Sequence, residues 1–60
     1  MIGKHVRGTN AYGEAVGKLG TVIAEYPHNG DKYGNYPIVV EYENGDVRNT
    51  MSFWVKVVEE

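Results

Sequence analysis

The fold is decided by the stretch YPIVVEYENGDVRNT, which spans residues 36–50. Its first part alternates between apolar and charged side chains, with Ile38 and Val40 on one face of an extended chain and Glu41 on the other. This period of two is typical of a strand that turns one face to a core and the other to solvent. We therefore predict a strand over residues 36–43.

The strand is followed by Asn44-Gly45, the strongest short hairpin signal, because both central positions of a type I′ turn require a positive φ. A two-residue loop at this point pairs Tyr42 with Val47 and Glu41 with Arg48. The first pair is apolar and faces inward, and the second joins opposite charges on the outward face. Register and pattern agree, so we predict a hairpin here.

The rest of the chain is divided by glycine, with eight Gly and two Pro in 60 residues. Glycine disfavours a helix interior by about 1 kcal/mol relative to alanine, so a long helix is not expected. The segments between the glycines are rich in Val, Ile, Tyr and Thr, as strands are. Further strands are predicted over residues 4–7, 19–26 and 55–58, with long loops at 8–18 and 27–35 and a single helical turn at 51–54.

Five short strands that close on one another satisfy the edges of their sheet and bury one face of each strand. The predicted fold class is therefore all-β, a small five-stranded barrel with one short 3-10 turn before the last strand, in a single domain over residues 1–60. The predicted core consists of Val6, Val22, Ala24, Ile38, Val40, Tyr42, Val47, Phe53, Val55 and Val57.

Size and composition argue against catalysis and secretion. A 60-residue chain has a thin core and little room for a deep pocket. It contains no cysteine, so disulfides and thiolate zinc sites are excluded and a reducing cytoplasm is the expected compartment. It has no apolar run near the roughly 20 residues of a membrane span, and the N-terminus lacks the apolar stretch of a signal peptide. The chain is interpreted as a complete small gene product, with a domain cut from a longer protein as the alternative.

The charge balance weakens the case for a nucleic-acid module. Such modules are usually basic, whereas this chain carries a net charge of −2. Residues 1–32 hold four cations against three acids, a balance of +1, and residues 33–60 hold two against five, a balance of −3. A local basic patch is therefore confined to the first half, where the candidate phosphate contacts are Lys4, Arg7, Lys18 and Lys32.

The order of the predicted elements resembles that of SH3-like barrels. The closing segment WVKVV at residues 54–58 is similar to the end of many such domains. The segment GKLGTV at residues 17–22, preceded by VRG at residues 6–8, resembles the KOW-type motif of ribosomal and transcription-factor barrels. The acidic-aromatic run that proline-binding SH3 domains carry in their first loop is absent from residues 10–14, so recognition of proline-rich ligands is not expected.

In size the chain also resembles the small stand-alone SH3-like proteins that phages and prophages encode. The resemblance implies a protein that binds a host protein in the host cytoplasm as an inhibitor or adaptor. It implies no cofactor.

The residues that could carry chemistry do not form a recognisable catalytic or metal-binding pattern. His5 and His28 share no metal-ligand spacing, and we interpret them as a strand residue and a solvated loop residue. Glu41 and Glu43 fall on the outward face of the predicted hairpin. We therefore predict a protein that is not an enzyme and that has neither a cofactor nor a metal.

The aromatic side chains are the best functional lead. Tyr12, Tyr33 and Tyr36 lie in or beside the two long loops, and Trp54 lies in the helical turn. In an SH3-like barrel these segments line one side, so we predict that the four residues bind a protein partner. The alternative for Trp54 is that it closes the open end of the barrel.

Two further hypotheses remain open from the sequence. In the first, the chain binds nucleic acid, with the tyrosines stacked on bases and the four cations on phosphates. In the second, it forms a homodimer, because Val39 and Val58 fall on the outward faces of their strands in a domain with a thin core.

Overall fold

The computed structural model describes residues 1–58 and contains five antiparallel strands, two short 3-10 turns and, in this range, no α-helix. The prediction of an all-β domain with a 3-10 turn before the last strand is confirmed, and a second 3-10 turn is added. The strands are β1 (His5–Thr9), β2 (Ala15–Glu25), β3 (Pro37–Tyr42), β4 (Val47–Met51) and β5 (Val55–Val57), and the 3-10 turns are Pro27–Asn29 and Ser52–Trp54.

The first hairpin is longer than predicted. Strand β2 begins at Ala15 and pairs with β1 as far as Thr9, so most of the predicted loop at residues 8–18 is strand. The connection that remains is the five residues 10–14. The loop between β2 and β3 lies where it was predicted.

The five strands form one sheet in the order β4-β3-β2-β1-β5. In a flat sheet the two edge strands would lie about 19 Å apart, since neighbouring strands are separated by about 4.8 Å. The chain nevertheless passes from Met51 at the end of β4 to Val55 at the start of β5 through a three-residue 3-10 turn. Four residue steps of about 2 Å each span roughly 8 Å, so the sheet must be strongly curved. Strands β4 and β5 do not pair with each other within residues 1–58, and the closed SH3-like barrel remains a prediction.

The core lies on the concave face and has four fully buried side chains, Val6, Val22, Ile38 and Val40. All four were predicted. Burial of each contributes on the order of 1.5–3 kcal/mol to the free energy of folding. Four half-buried residues pack against this cluster, namely Met1, Tyr36, Tyr42 and Val55.

Gly20 makes this packing possible at the centre of β2, where it lies between Val6 of β1 and Tyr42 of β3. A Cβ atom at this position would lie 2.5 Å from Cγ1 of Val40 and 3.0 Å from the ring of Tyr42. Any side chain here would therefore push β3 off the core.

The hairpin between β3 and β4 has a different register from the predicted one. Gly45 has a φ of 88°, but the φ of Asn44 is not positive, so the loop is not a type I′ turn. The amide of Gly45 donates to the carbonyl of Tyr42, and the amide of Tyr42 donates to the carbonyl of Asp46, which makes a three-residue loop with a bulge. Strand pairing then places Glu41 opposite Val47.

A shift of one residue moves every side chain of β4 to the opposite face. Val47 therefore leaves the predicted core and is 52% exposed on the outer face. Arg48 lies opposite Val40 instead of Glu41, with its guanidinium 4.0 Å from the carboxylate of Asp46. The predicted Tyr42–Val47 and Glu41–Arg48 pairs are both wrong.

A second irregularity lies in β2, where the pairing with β3 shifts between Val22 and Ala24. Ile23 is the extra residue, so the alternation of faces reverses after it. Ala24 lies opposite the outward residue Val39 and is half-buried, and Glu25 lies opposite the core residue Ile38. Ala24 was predicted to belong to the core, and it does not.

Phe53 and Val57 were also predicted as core residues, and both are exposed. The amide of Phe53 donates to the side-chain oxygen of Asn35, which holds the 3-10 turn with the ring outside. Val57 lies opposite Val6, but β5 is an edge strand with no neighbour on its other side, which leaves Val57 43% exposed.

Within residues 1–58 no helix has the length and apolar character needed to cross a membrane. Val39 and Val58, the residues on which the homodimer hypothesis was based, are both half-buried.

Candidate binding surface

The loop between β1 and β2 is a tight turn organised by Asn10. Its side-chain oxygen accepts hydrogen bonds from the amides of Tyr12 at 2.9 Å and of Glu14 at 3.0 Å. The backbone amide of Asn10 donates to the carbonyl of Glu14, and Gly13, with a φ of 78°, donates to the carbonyl of Asn10. The backbone on both sides of Tyr12 is therefore fixed by four hydrogen bonds.

The loop between β2 and β3 contains the same turn at residues 31–35. The side-chain oxygen of Asp31 accepts hydrogen bonds from the amides of Tyr33 at 2.8 Å and of Asn35 at 3.2 Å. The amide of Asp31 donates to the carbonyl of Asn35, and Gly34, with a φ of 87°, donates to the carbonyl of Asp31. These four hydrogen bonds match the four of the first turn, which has one more, from the side-chain amide of Asn10 to the carboxylate of Glu14 at 3.2 Å.

Each turn presents its tyrosine to solvent at the same position. Tyr12 is 88% exposed and Tyr33 is 72% exposed, so neither ring contributes substantially to the core. The ammonium nitrogen of Lys32 lies over the ring of Tyr33, 5.1 Å from the ring centre, in a cation–π contact. Two large aromatic side chains are thus held in solvent on backbones that have little freedom.

The 3-10 turn Ser52–Trp54 lies between these two loops. It is hydrogen-bonded to Thr9, which precedes the first loop, and to Asn35, which lies in the second. The hydroxyl of Thr9, at the end of β1, donates to the carbonyl of Trp54 at 3.2 Å. The side-chain oxygen of Asn35, in the second turn, accepts from the amide of Phe53 at 3.0 Å and from the hydroxyl of Ser52 at 3.3 Å. These bonds join the three segments into one unit.

The two aromatic side chains of the 3-10 turn face solvent, with Trp54 61% and Phe53 59% exposed. Trp54 therefore does not close the end of the sheet, which was the alternative interpretation of this residue. We refer to the exposed side chains of Tyr12, Tyr33, Phe53 and Trp54 as the aromatic rim.

Tyr36, the fourth predicted contact residue, has a different environment. Its ring packs against the core, and its hydroxyl donates to the carboxylate of Glu25 at 3.3 Å. The same carboxylate oxygen accepts from the N-terminal amino group of Met1 at 3.0 Å. Burial raises the pKa of the Tyr36 hydroxyl, and the negative charge of Glu25 and the hydrogen bond to it raise that pKa further.

The four candidate cations are divided among different parts of the surface. Arg7 and Lys18 line one cleft of about 330 Å³ together with Leu19, Glu43 and Asn44, so an acidic side chain is present there too. Arg7 also donates to the carbonyl of Gly17 at 3.1 Å. Lys4 precedes β1, and Lys32 lies over Tyr33 in the second turn. The cleft thus brings two of the four cations together.

Among residues 1–58 there is no group of three or more His, Asp or Glu side chains that could hold a metal ion. His5 is hydrogen-bonded to the hydroxyl of Thr21 at 3.2 Å on the exposed face of the sheet.

The matched turns were not recognised in the sequence analysis, although the signal is present. Residues 10–14 read NAYGE and residues 31–35 read DKYGN. In both, an Asn or Asp precedes a Tyr by two positions and a Gly by three, the spacing at which a side-chain oxygen reaches the amide two residues on. Phe53 was also missed as a surface residue, because its apolar character suggested the core.

No protein-family model matches the chain, and no curated protein or solved structure matches it either. The function proposed below therefore rests on the geometry of this surface.

Proposed function

We propose that this chain is a non-catalytic protein-binding module, an SH3-like barrel that docks on a protein partner through the aromatic rim. The observation that carries the proposal is the matched pair of turns. Two turns that share four hydrogen bonds each hold a tyrosine in solvent, and the exposure of these two rings leaves them no substantial packing role in the core.

Exposed aromatic side chains of this kind suit a protein interface. Tyrosine and tryptophan bring large contact areas with few rotatable bonds, and they are enriched among the residues that dominate binding energy. A backbone that is already ordered loses little conformational entropy on binding, which leaves more of the contact energy as affinity. The hydrogen bonds of Asn10 and Asp31 supply that order here.

On the resemblance in size and order of elements, we further propose that the partner is a host protein and that the chain is a phage-encoded inhibitor or adaptor acting in the host cytoplasm. The mild net negative charge and the absence of cysteine agree with this proposal.

The test is capture of a partner from bacterial lysate on the immobilised chain, with variants compared in parallel. We expect a stoichiometric protein that is lost with Tyr33→Ala and with Trp54→Ala. Tyr26→Ala is the matched control, because Tyr26 is also an exposed tyrosine, at 49%, but lies outside the rim. Equal capture by wild type and both rim variants would contradict the proposal.

A second candidate function, binding of nucleic acid, is favoured by the cleft that contains both Arg7 and Lys18. It predicts binding to single- or double-stranded oligonucleotides that weakens steeply with salt, with a slope that reflects about two to four phosphate contacts. The variant Lys18→Gln would reduce that slope by about one contact. No shift of an oligonucleotide at low salt would exclude this function.

A further inference from the structure

We propose that the free edge of β4 pairs with the same edge of a second copy of the chain, in an antiparallel dimer whose two-fold axis passes through Asn49. This inference concerns a different surface from the aromatic rim and does not rest on the binding of a partner there; it takes the sheet as described, with β4 and β5 unpaired within residues 1–58.

The backbone of β4 has one bonded edge and one free edge. The carbonyl of Asp46 accepts from Tyr42, and the amide of Ser52 donates to Tyr36, so these two residues direct their backbone groups toward β3. Bonded and free residues alternate along an antiparallel strand. Arg48 and Thr50 therefore also bond to β3, while the amides and carbonyls of residues 47, 49 and 51 point away from the sheet.

Nothing in residues 1–58 occupies that free edge. β4 lies at the end of the strand order and pairs only with β3. Natural sheets usually protect a free edge with proline, lysine, a bulge or a very short strand. The opposite edge follows this rule, because β5 has three residues and includes Lys56. β4 has five residues with neither proline nor lysine, and its one charged side chain is Arg48, which lies on the same face as Val40.

The sequence of β4 is self-complementary about Asn49. With Asn49 opposite its own copy, Val47 lies opposite Met51 of the partner subunit, and this apolar pair occurs twice by symmetry. All three outward residues are then in hydrogen-bonded pairs, which gives six backbone bonds across the interface. Val47, Asn49 and Met51 share the outer face, so the two apolar pairs flank one amide–amide pair.

The neighbouring registers for pairing β4 with its copy are less favourable. An axis through Arg48 would place two guanidinium groups directly opposite each other, which is destabilising. An axis through Thr50 would place Asn49 opposite a methionine and leave Val47 without a partner. Charge and apolar matching therefore both select the register centred on Asn49.

The dimer interface proposed here therefore differs from the one that the sequence suggested. Val39 and Val58 are half-buried within the chain, whereas Val47 is 52% exposed at the free edge.

The experiment is sedimentation equilibrium of the full chain over a wide concentration range, with circular dichroism to verify that each variant is folded. We expect a concentration-dependent dimer with a dissociation constant of about 1 mM or tighter. Val47→Lys and Asn49→Pro should each weaken it at least tenfold. Proline is tolerated by the fold at position 49, because the amide it removes faces away from β3. Val57→Lys, on the other edge, should leave the dimer unchanged.

The double variant Val47→Lys with Met51→Glu should restore the dimer to within a few fold of wild type, because each lysine then faces a glutamate of the partner subunit. A monomer at every concentration would overturn the proposal. A dimer that resists both Val47→Lys and Asn49→Pro, or one that Val57→Lys weakens equally, would also overturn it.

Discussion

Tyr12 and Tyr33 occupy the same position in two turns that have four hydrogen bonds in common, one turn at each end of the long strand β2. Each ring lies two residues after an Asn or Asp whose side-chain oxygen accepts the tyrosine's own amide, and one residue before a glycine of positive φ. The chain thus uses the same type of turn twice to hold an aromatic side chain in solvent.

The first prediction concerns the side-chain hydrogen bonds that hold these two turns. Asn10→Ala removes three side-chain hydrogen bonds and Asp31→Ala removes two, and each variant should lower the free energy of unfolding by about 1 kcal/mol. The backbone order parameter of the tyrosine in the altered turn should fall from about 0.85 to below about 0.6 in NMR relaxation. The control Asp31→Asn keeps the acceptor oxygen and should retain the order of the second turn. An unchanged order parameter in the alanine variants would show that the side chains do not hold the turns.

Gly20 gives the second prediction. Gly20→Ala places a methyl group 2.5 Å from Cγ1 of Val40, which is fully buried and cannot yield, so the variant should lose about 1–3 kcal/mol of stability. Gly8→Ala is the matched control, because its nearest neighbour would be 3.9 Å away. Urea denaturation of both variants decides the point, and equal stability would mean that β2 and β3 are not in close contact.

The third prediction separates the core from the rim. Ile38→Ala should cost about 2–5 kcal/mol, since Ile38 is fully buried. Phe53→Ala should change stability by no more than about 0.5 kcal/mol, since its ring is exposed. Thermal or urea denaturation measures both changes. A large loss of stability with Phe53→Ala would show that Phe53 packs in the core.

The fourth prediction concerns pH. The pKa of Tyr36 is raised above its usual value of 10.0, so the folded state favours the neutral hydroxyl. The associated stability is complete below pH 10 and is lost as the pH rises through the raised pKa of the folded state. Urea denaturation from about pH 8 to about pH 11 should show a decline at the alkaline end of the range that Tyr36→Phe reduces. A decline of equal size in the variant would assign the effect to other groups.

Sequence patterns predicted the centre of this molecule well. The alternation around Ile38 and Val40 identified β3 and its buried face, and Val6 and Val22 were correctly placed in the core. Periodicity is reliable there because one face of each strand is fully covered.

The errors arose where a single residue changes the register. An Asn-Gly pair can form a two-residue loop or enter a three-residue loop with a bulge, and the identity of the pair does not decide between them. Here Asn44 keeps a negative φ, and Val47 moves to the outer face in consequence. The extra residue Ile23 had no sequence signal, and it turned Ala24 outward and Glu25 inward.

The surface was only partly predictable. Tyr12, Tyr33 and Trp54 were selected because they lie in loops and a turn, and their exposure agrees with that choice. The hydrogen bonds that join the Ser52–Trp54 turn to Thr9 and Asn35 depend on tertiary contacts between residues distant in sequence. No local pattern contains that information.

The most direct test of the account is a tyrosine footprint of the chain, by chemical modification, with and without its captured partner. In the free chain Tyr12 and Tyr33 should react fastest and the half-buried Tyr36 and Tyr42 slowest, following their exposure. In the complex Tyr12 and Tyr33 should be protected while Tyr26 stays reactive. Tyr12 and Tyr33 that keep their full reactivity in the complex would contradict the proposal that the aromatic rim is the docking surface.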